Sequence, residues 1–253
     1  SIQSGGNYNV VVGDEAGTAI TTGDNNTFVG YASGDAVTTG IANVAVGMQA
    51  LSSNTAAKKN VAIGKDALRD FNVTTATDTY NIAIGVDAGV SMTTGVQNTL
   101  IGGLAGDALT DADYNVGVGL NALSTDTLGS RSTAIGFGAL STQNFTTATD
   151  SNNTAVGFNA GVLVTTGDSN TLVGSGAADA LTVGTDNVSV GRDALGADTK
   201  GSSSIAIGRN ALAAQNFTTA TTAYNVAVGR SAGAAVTTGT QNTLLGGLTG
   251  DAL

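Results

Sequence analysis

Short alternations of apolar and polar residues punctuate the chain at a fixed interval. Segments such as Asn43-Val44-Ala45-Val46-Gly47 and Asn81-Ile82-Ala83-Ile84-Gly85 alternate with period two and are rich in β-branched residues, which predicts strands rather than helices. The glycine of this motif stands at Gly13, Gly30, Gly47, Gly64, Gly85, Gly102, Gly119, Gly136, Gly157, Gly174, Gly191, Gly208, Gly229 and Gly246. Successive glycines are 17 residues apart, except for steps of 21 into Gly85, Gly157 and Gly229, so a four-coil unit returns every 72 residues. A step of 17 is too short for a helix pair. Each coil is expected to give one strand at the glycine, a second short strand near the following alanine, and turns. Stacked coils then make an all-β, parallel β-solenoid of about fourteen coils. The whole of 1–253 reads as one continuous solenoid shaft without a boundary, and its first residues, Ser1-Ile2-Gln3, suggest a piece of a longer fibre.

In a solenoid, residues at equal offset from the glycine form columns. One residue before it stand Val12, Val29, Val46, Ile63, Ile84 and their equivalents, and these are expected to build the core. Three residues after it the column is Ala in twelve of fourteen coils, which indicates a site for a small side chain. The positions four and seven after the glycine exchange volume. Gly17 goes with Ile20 and Gly89 with Met92, whereas Leu51 goes with Asn54 and Leu123 with Asp126, as a close-packed interior requires. Asn stands four before the glycine in twelve coils, replaced by Ser132 and Ser204. Eight after it the column is Thr or Asn throughout, from Thr21 to Thr237. Both polar columns suit turn and ladder hydrogen bonding.

The position two before the glycine should point the other way, out of the coil. Here it is apolar as well, with Phe28, Ala45, Ala62, Ala83, Leu100, Leu172 and Leu244. A strand apolar on both faces is usually covered on both, so these residues are expected to form an inter-chain face.

Composition narrows the chemistry. The 253 residues include no His, Cys, Pro or Trp, and charged residues make up only 11%. The usual zinc ligands, His-dependent nucleophiles, disulfides and thiol chemistry are thereby excluded. Nine cations against nineteen acids leave a net charge of −10, which argues against a nucleic-acid partner. No apolar run is long enough for a membrane-spanning helix, so no membrane insertion by this segment is expected. The reading calls for no catalytic residue, no metal ligand and no cofactor.

Asn43-Val44-Ala45-Val46-Gly47, Asn60-Val61-Ala62-Ile63-Gly64 and Ser204-Ile205-Ala206-Ile207-Gly208 resemble the head repeats of YadA-like trimeric autotransporter adhesins, and equally the repeat arrays of bacteriophage tail fibres. The resemblance covers essentially the whole chain, although the 17-residue coil is longer and the 72-residue superperiod is additional. It implies a left-handed β-roll, a homotrimer of intertwined or packed chains, and an extracellular structural or adhesive shaft on a virion or bacterial surface. That shaft would serve host attachment by holding a receptor-binding or anchoring end outward.

The 21-residue steps insert four residues at one place in each unit. The resulting loops, with Val73, Thr74 and Thr75, with Phe145, Thr146 and Thr147, and with Phe217, Thr218 and Thr219, are candidate recognition loops for a host-cell surface glycan or protein. A packing role for Phe145 and Phe217 against a neighbouring chain is the competing reading. Asp111 and Asp113 form a small acidic group, read as turn carboxylates because calcium needs six to eight oxygens. Three other functions compete with the shaft. Ice binding would use the Thr columns. An acyltransferase is suggested by Ile63-Gly64-Lys65-Asp66-Ala67, but this hexapeptide element occurs once per coil rather than three times. A glycan-cleaving tailspike would need a carboxylate pair in a cleft, whereas Glu15 is the only Glu. End-to-end stacking of the solenoid is a further expected self-association.

Overall fold

The structure is a computed structural model, and it describes residues 6–252. It is an all-β parallel solenoid of about fourteen coils with no helix among the described residues. Two compact units divide the chain, residues 1–121 and 122–253. In the first, the strands Val10–Val12, Thr27–Val29, Val44–Val46, Val61–Ile63, Ile82–Ile84, Thr99–Ile101 and Val116–Val118 pair in that order, all parallel. In the second, Thr133–Ile135, Thr154–Val156, Thr171–Val173, Val188–Val190, Ile205–Ile207, Val226–Val228 and Thr243–Leu245 do the same. Register follows the glycine spacing: Val46 lies opposite Ile63 across a 17-residue step, and Ile63 opposite Ile84 across a 21-residue step.

Each strand is only three residues long because the motif glycine turns the chain sharply. At Gly64 φ is +131°, and a Cβ there would stand 2.3 Å from the carbonyl oxygen of Gly85 in the next coil. Only glycine fits such a stack. Left-handed residues follow at two and four positions beyond it, as at Asp66 (φ 56°) and Leu68 (φ 50°). These break any strand, so the second strand expected near the alanine does not form. Short extra pairs occur instead beside two of the loops, Gly129–Ser130 with Thr149–Asp150 and Gly201–Ser202 with Thr221–Thr222. The turns are nevertheless bonded from coil to coil. Asp66 N–H donates to Met48 O and Leu68 N–H to Ala88 O, so backbone groups outside the strands also find partners.

The structure inverts the expected faces of the strand. The proposed inter-chain residues Phe28, Ala45, Ala62, Ala83, Leu100 and Leu172 are completely buried and Leu244 nearly so, all within the coil interior of their own chain. The column expected to be core, from Val12 to Leu245, faces outward together with Val10, Thr27, Val44 and their equivalents. Ile63 and Ile101 are exposed at 36% and 37%. The cause is the narrow cross-section. Leucines from the turns, joined by valines, Ile20 and Met92, already fill much of the interior, so the strand can turn inward only a small residue, or a large one where the turn supplies glycine. Phe28 shows the second case: a Cβ on Gly34 would fall 2.7 Å from its ring. Where Ala45 and Ala62 face inward, Leu51 and Leu68 fill the space. They do so at φ 54° and 50°, a conformation that costs an L-residue about 1–2 kcal/mol and is offset by the burial of a leucine, worth roughly 1.5–3 kcal/mol.

The asparagine column is a buried ladder. Asn43 donates its backbone N–H to Asn26 Oδ1 (3.0 Å), and its Nδ2 to the same oxygen (3.2 Å) and to Ala57 O (2.9 Å). Asn60 repeats the first two bonds onto Asn43. The substitution Ser132 is repaired from another column. Gln143 Nε2 donates to Ser132 Oγ (3.1 Å) and to the buried Asp126 carboxylate, while its Oε1 accepts from Asn153 Nδ2 (2.9 Å). Asp126 Oδ1 also accepts the backbone N–H of Gly129 and of Phe145. The same arrangement recurs with Ser204, Gln215, Asp198 and Asn225. In the first repeat Asn60 is kept, and a buried Phe71 occupies the place of the glutamine.

Candidate functional sites: loops, outer sheet face and a surface row

The three loops are anchored by their first residues and open at their tips. Phe145 and Phe217 are 7% and 6% exposed, and Val73 packs against the core of the first unit. The aromatic rings are therefore interior groups of their own coil, neither free to stack on a ligand nor available to a neighbouring chain. Thr74, Thr75, Thr146, Thr147, Thr218 and Thr219 are exposed and carry whatever recognition the loops perform. Ion pairs close the loop bases in two repeats. Lys59 Nζ donates to Asp78 Oδ2 (2.6 Å) and Tyr80 Oη (2.9 Å) and lies 4.9 Å from the centre of the Tyr80 ring. Hydrogen bonding to Asp78 is the main reason the lysine pKa is pushed up to about 12, and the same bond lowers that of Asp78. Arg131 and Asp150 make the equivalent contact at 3.1 Å.

The threonine column eight beyond the glycine forms a hydrogen-bonded ladder. Thr38 Oγ1 donates to Thr55 O (3.1 Å), and Thr55 Oγ1 to Asn72 Oδ1 (2.9 Å). The Thr38 and Thr55 hydroxyls are thus committed within the chain and partly buried, whereas Thr93 and Thr237 of the same column are exposed. Asp111 accepts from Thr94 Oγ1 (2.6 Å) and Asp113 from Val96 N–H (2.7 Å), so both serve the turns. Among the described residues no three carboxylates converge as a metal site would require. A shallow depression lined by Val236, Thr237, Gly239 and Asn242 contains no titratable group.

Two outer features remain. One is the sheet face, two columns of Val, Ile and Thr that run across each unit and are covered by nothing in the chain. The other is the row immediately after the motif glycine, which sequence reasoning overlooked. In the second unit it runs Phe137, Phe158, Ser175, Arg192, Arg209 and Arg230, all exposed. The Phe137 and Phe158 rings stack with centroids 5.4 Å apart and 12° between planes. Its signal in the sequence was the concentration of four of the nine cations, Lys65, Arg192, Arg209 and Arg230, at one offset, three of them in consecutive coils.

Comparison with models of known protein families, with curated proteins and with solved structures finds no match. The fold therefore defines the class: a repeat protein of the parallel β-solenoid type, an architecture compatible with a fibrous structural role.

Proposed function

We propose that this chain is a structural segment of an extracellular fibre, a tail-fibre or adhesin shaft that self-associates as a homotrimer. The observation that carries the reading is the contrast between the two faces of the strand. The inner face is closed, with Asn, Gln and Asp side chains bonded along the stack. The outer face presents Val44, Val46, Val61, Ile63, Ile82 and Ile84 in adjacent rungs, an apolar strip of the kind that marks an interaction surface. The resemblance to YadA-like head repeats supports three copies, now joined through this outer strip and not through Phe28, Ala45 and Leu100. Low charge and the absence of Cys suit a sheet-rich body that persists outside a cell without disulfides.

Light scattering on the purified chain tests the reading. The expected mass is three times 24.6 kDa, and Val46→Lys with Ile63→Lys should release single chains that keep their β circular dichroism. A monomer at micromolar concentration for the parent chain would refute the assembly. A trimer unaffected by the two lysines would move its interface off this strip.

A further inference from the structure

We infer that the surface row of the second unit is a binding strip for an acidic polysaccharide, with the Phe137–Phe158 pair as its apolar end and Arg192, Arg209 and Arg230 as its anionic subsites. Backbone bonds hold the row in consecutive rungs. Phe137 O accepts from Asn159 N–H (2.9 Å), Phe158 O from Gly176 (3.0 Å), Ser175 O from Asp193 (3.1 Å), Arg192 O from Asn210 (3.0 Å) and Arg209 O from Ser231 (2.8 Å). The side chains are thus spaced at the strand repeat, about 4.8 Å.

Three guanidinium groups at that spacing repel one another, and like charges on neighbouring strands are destabilising. The adjoining column could have relieved this, because Arg192 has Asp193 beside it at 3.6 Å. At the next two rungs the acid is replaced by Asn210 and Ser231. Neither Arg209 nor Arg230 has a carboxylate within 4.0 Å among the described residues. Two unpaired arginines on a chain of net charge −10 have no evident role in the fold, and they suit an anion that the chain itself does not provide.

The aromatic pair narrows the class of anion. Half-exposed rings (46% and 56%) offer apolar surface suited to the C–H face of a sugar, and Ser175 leaves a low rung between Phe158 and the first arginine. An acidic glycan, with its charges one sugar ring apart, can place carboxylates or sulfates on successive rungs while an apolar ring face meets Phe158. A nucleic acid also carries stackable groups. However, its phosphates are dense, one per about 3.4 Å of strand, and three arginines on an acidic chain are a weak match for that charge. The strip requires only the second unit's outer edge, so its occupancy is separable from the number of chains in the fibre.

Binding is measured on the intact chain with immobilised polyuronate, dextran sulfate, neutral dextran and oligothymidylate, with light scattering on every variant. The expected result is salt-sensitive retention on one or both acidic glycans and none on neutral dextran. Arg209→Ser with Arg230→Ser should weaken it about tenfold or more, and Phe158→Ser should weaken it severalfold at unchanged oligomer mass. Comparing polyuronate with dextran sulfate assigns carboxylate or sulfate as the preferred group. Absence of binding to both acidic glycans, undiminished binding by the double arginine variant, or tighter binding to oligothymidylate would each overturn the proposal.

Discussion

The inward orientation of Phe28 can be tested by a double-mutant cycle with Gly34. Phe28 is completely buried, so Phe28→Ala should cost about 3–5 kcal/mol. Gly34→Ala carries two penalties. Its backbone at φ +56° costs an L-residue about 1–2 kcal/mol, and its Cβ would meet three atoms of the Phe28 ring at 2.7–2.8 Å, an overpacking worth about 1–3 kcal/mol more. The backbone part is tolerable in this fold, since the equivalent Ala178 stands at φ 48° where the inward residue is Leu172 in place of phenylalanine. Once Phe28 is alanine, Gly34→Ala should therefore cost only its backbone part. Guanidinium unfolding of the four proteins, followed by circular dichroism, should give a coupling of about 1–3 kcal/mol. Additive single effects, within about 0.5 kcal/mol, would mean that the ring does not lie over Gly34 and would refute the assignment of faces.

Gln143→Ala should cost about 1–3 kcal/mol, because it removes the side-chain donor to Asp126 Oδ2 and leaves the backbone bonds to Oδ1. Asp126→Asn combined with Gln143→Phe, which copies Asn54 and Phe71, should recover most of the loss in the same unfolding assay. Gly136→Ala would place a Cβ 2.2 Å from Gly157 O at φ +135°, and should cost about 4 kcal/mol or more, read as loss of soluble β-structured protein on expression. Burial raises the pKa of Asp107 above the ordinary carboxylate value, so the folded state takes up its proton before the unfolded state does, and its unfavourable contribution at neutral pH disappears as pH falls through the raised value. Asp107→Asn should therefore be more stable than the parent at pH 7, with the difference shrinking toward acid. A difference that grows in acid would contradict the burial argument.

Much of the fold was legible because the strand register is written into glycine spacing. Val46 and Ile63 pair as their offsets require, and the Asn and Thr columns form the ladders that turn chemistry suggests. The faces were not legible from alternation alone. In Val44-Ala45-Val46 the large residues look like core, yet the turns have already filled the interior of a thin coil. The decisive signal was covariation of volume: Phe28 and Leu100 occur where Gly34 and Gly106 follow, whereas the Val and Ile columns vary with nothing. A similar link joins Ser132 and Ser204 to Gln143 and Gln215, two columns that were read separately. Phe145 and Phe217 looked available because they open a loop. Their burial depends on packing inside the coil at the loop base, where Phe217 lies over Gly201, and spacing does not show that. The arginine row was visible as residues at one offset and became a site only when backbone bonds placed Arg192, Arg209 and Arg230 on consecutive rungs.

The asparagine ladder also bears on chemical ageing. An asparagine in a mobile chain deamidates when the backbone nitrogen of the following residue attacks its side-chain carbonyl. In the ladder that nitrogen is engaged elsewhere: Val44 N–H, next to Asn43, is held by Asn60 O at 2.8 Å, while the Asn43 side chain is fixed through both its oxygen and its nitrogen. Ring closure at such a rung needs the coil to open first. A sequence crowded with an ordinarily perishable residue thus acquires a shelf life governed by its rate of unfolding.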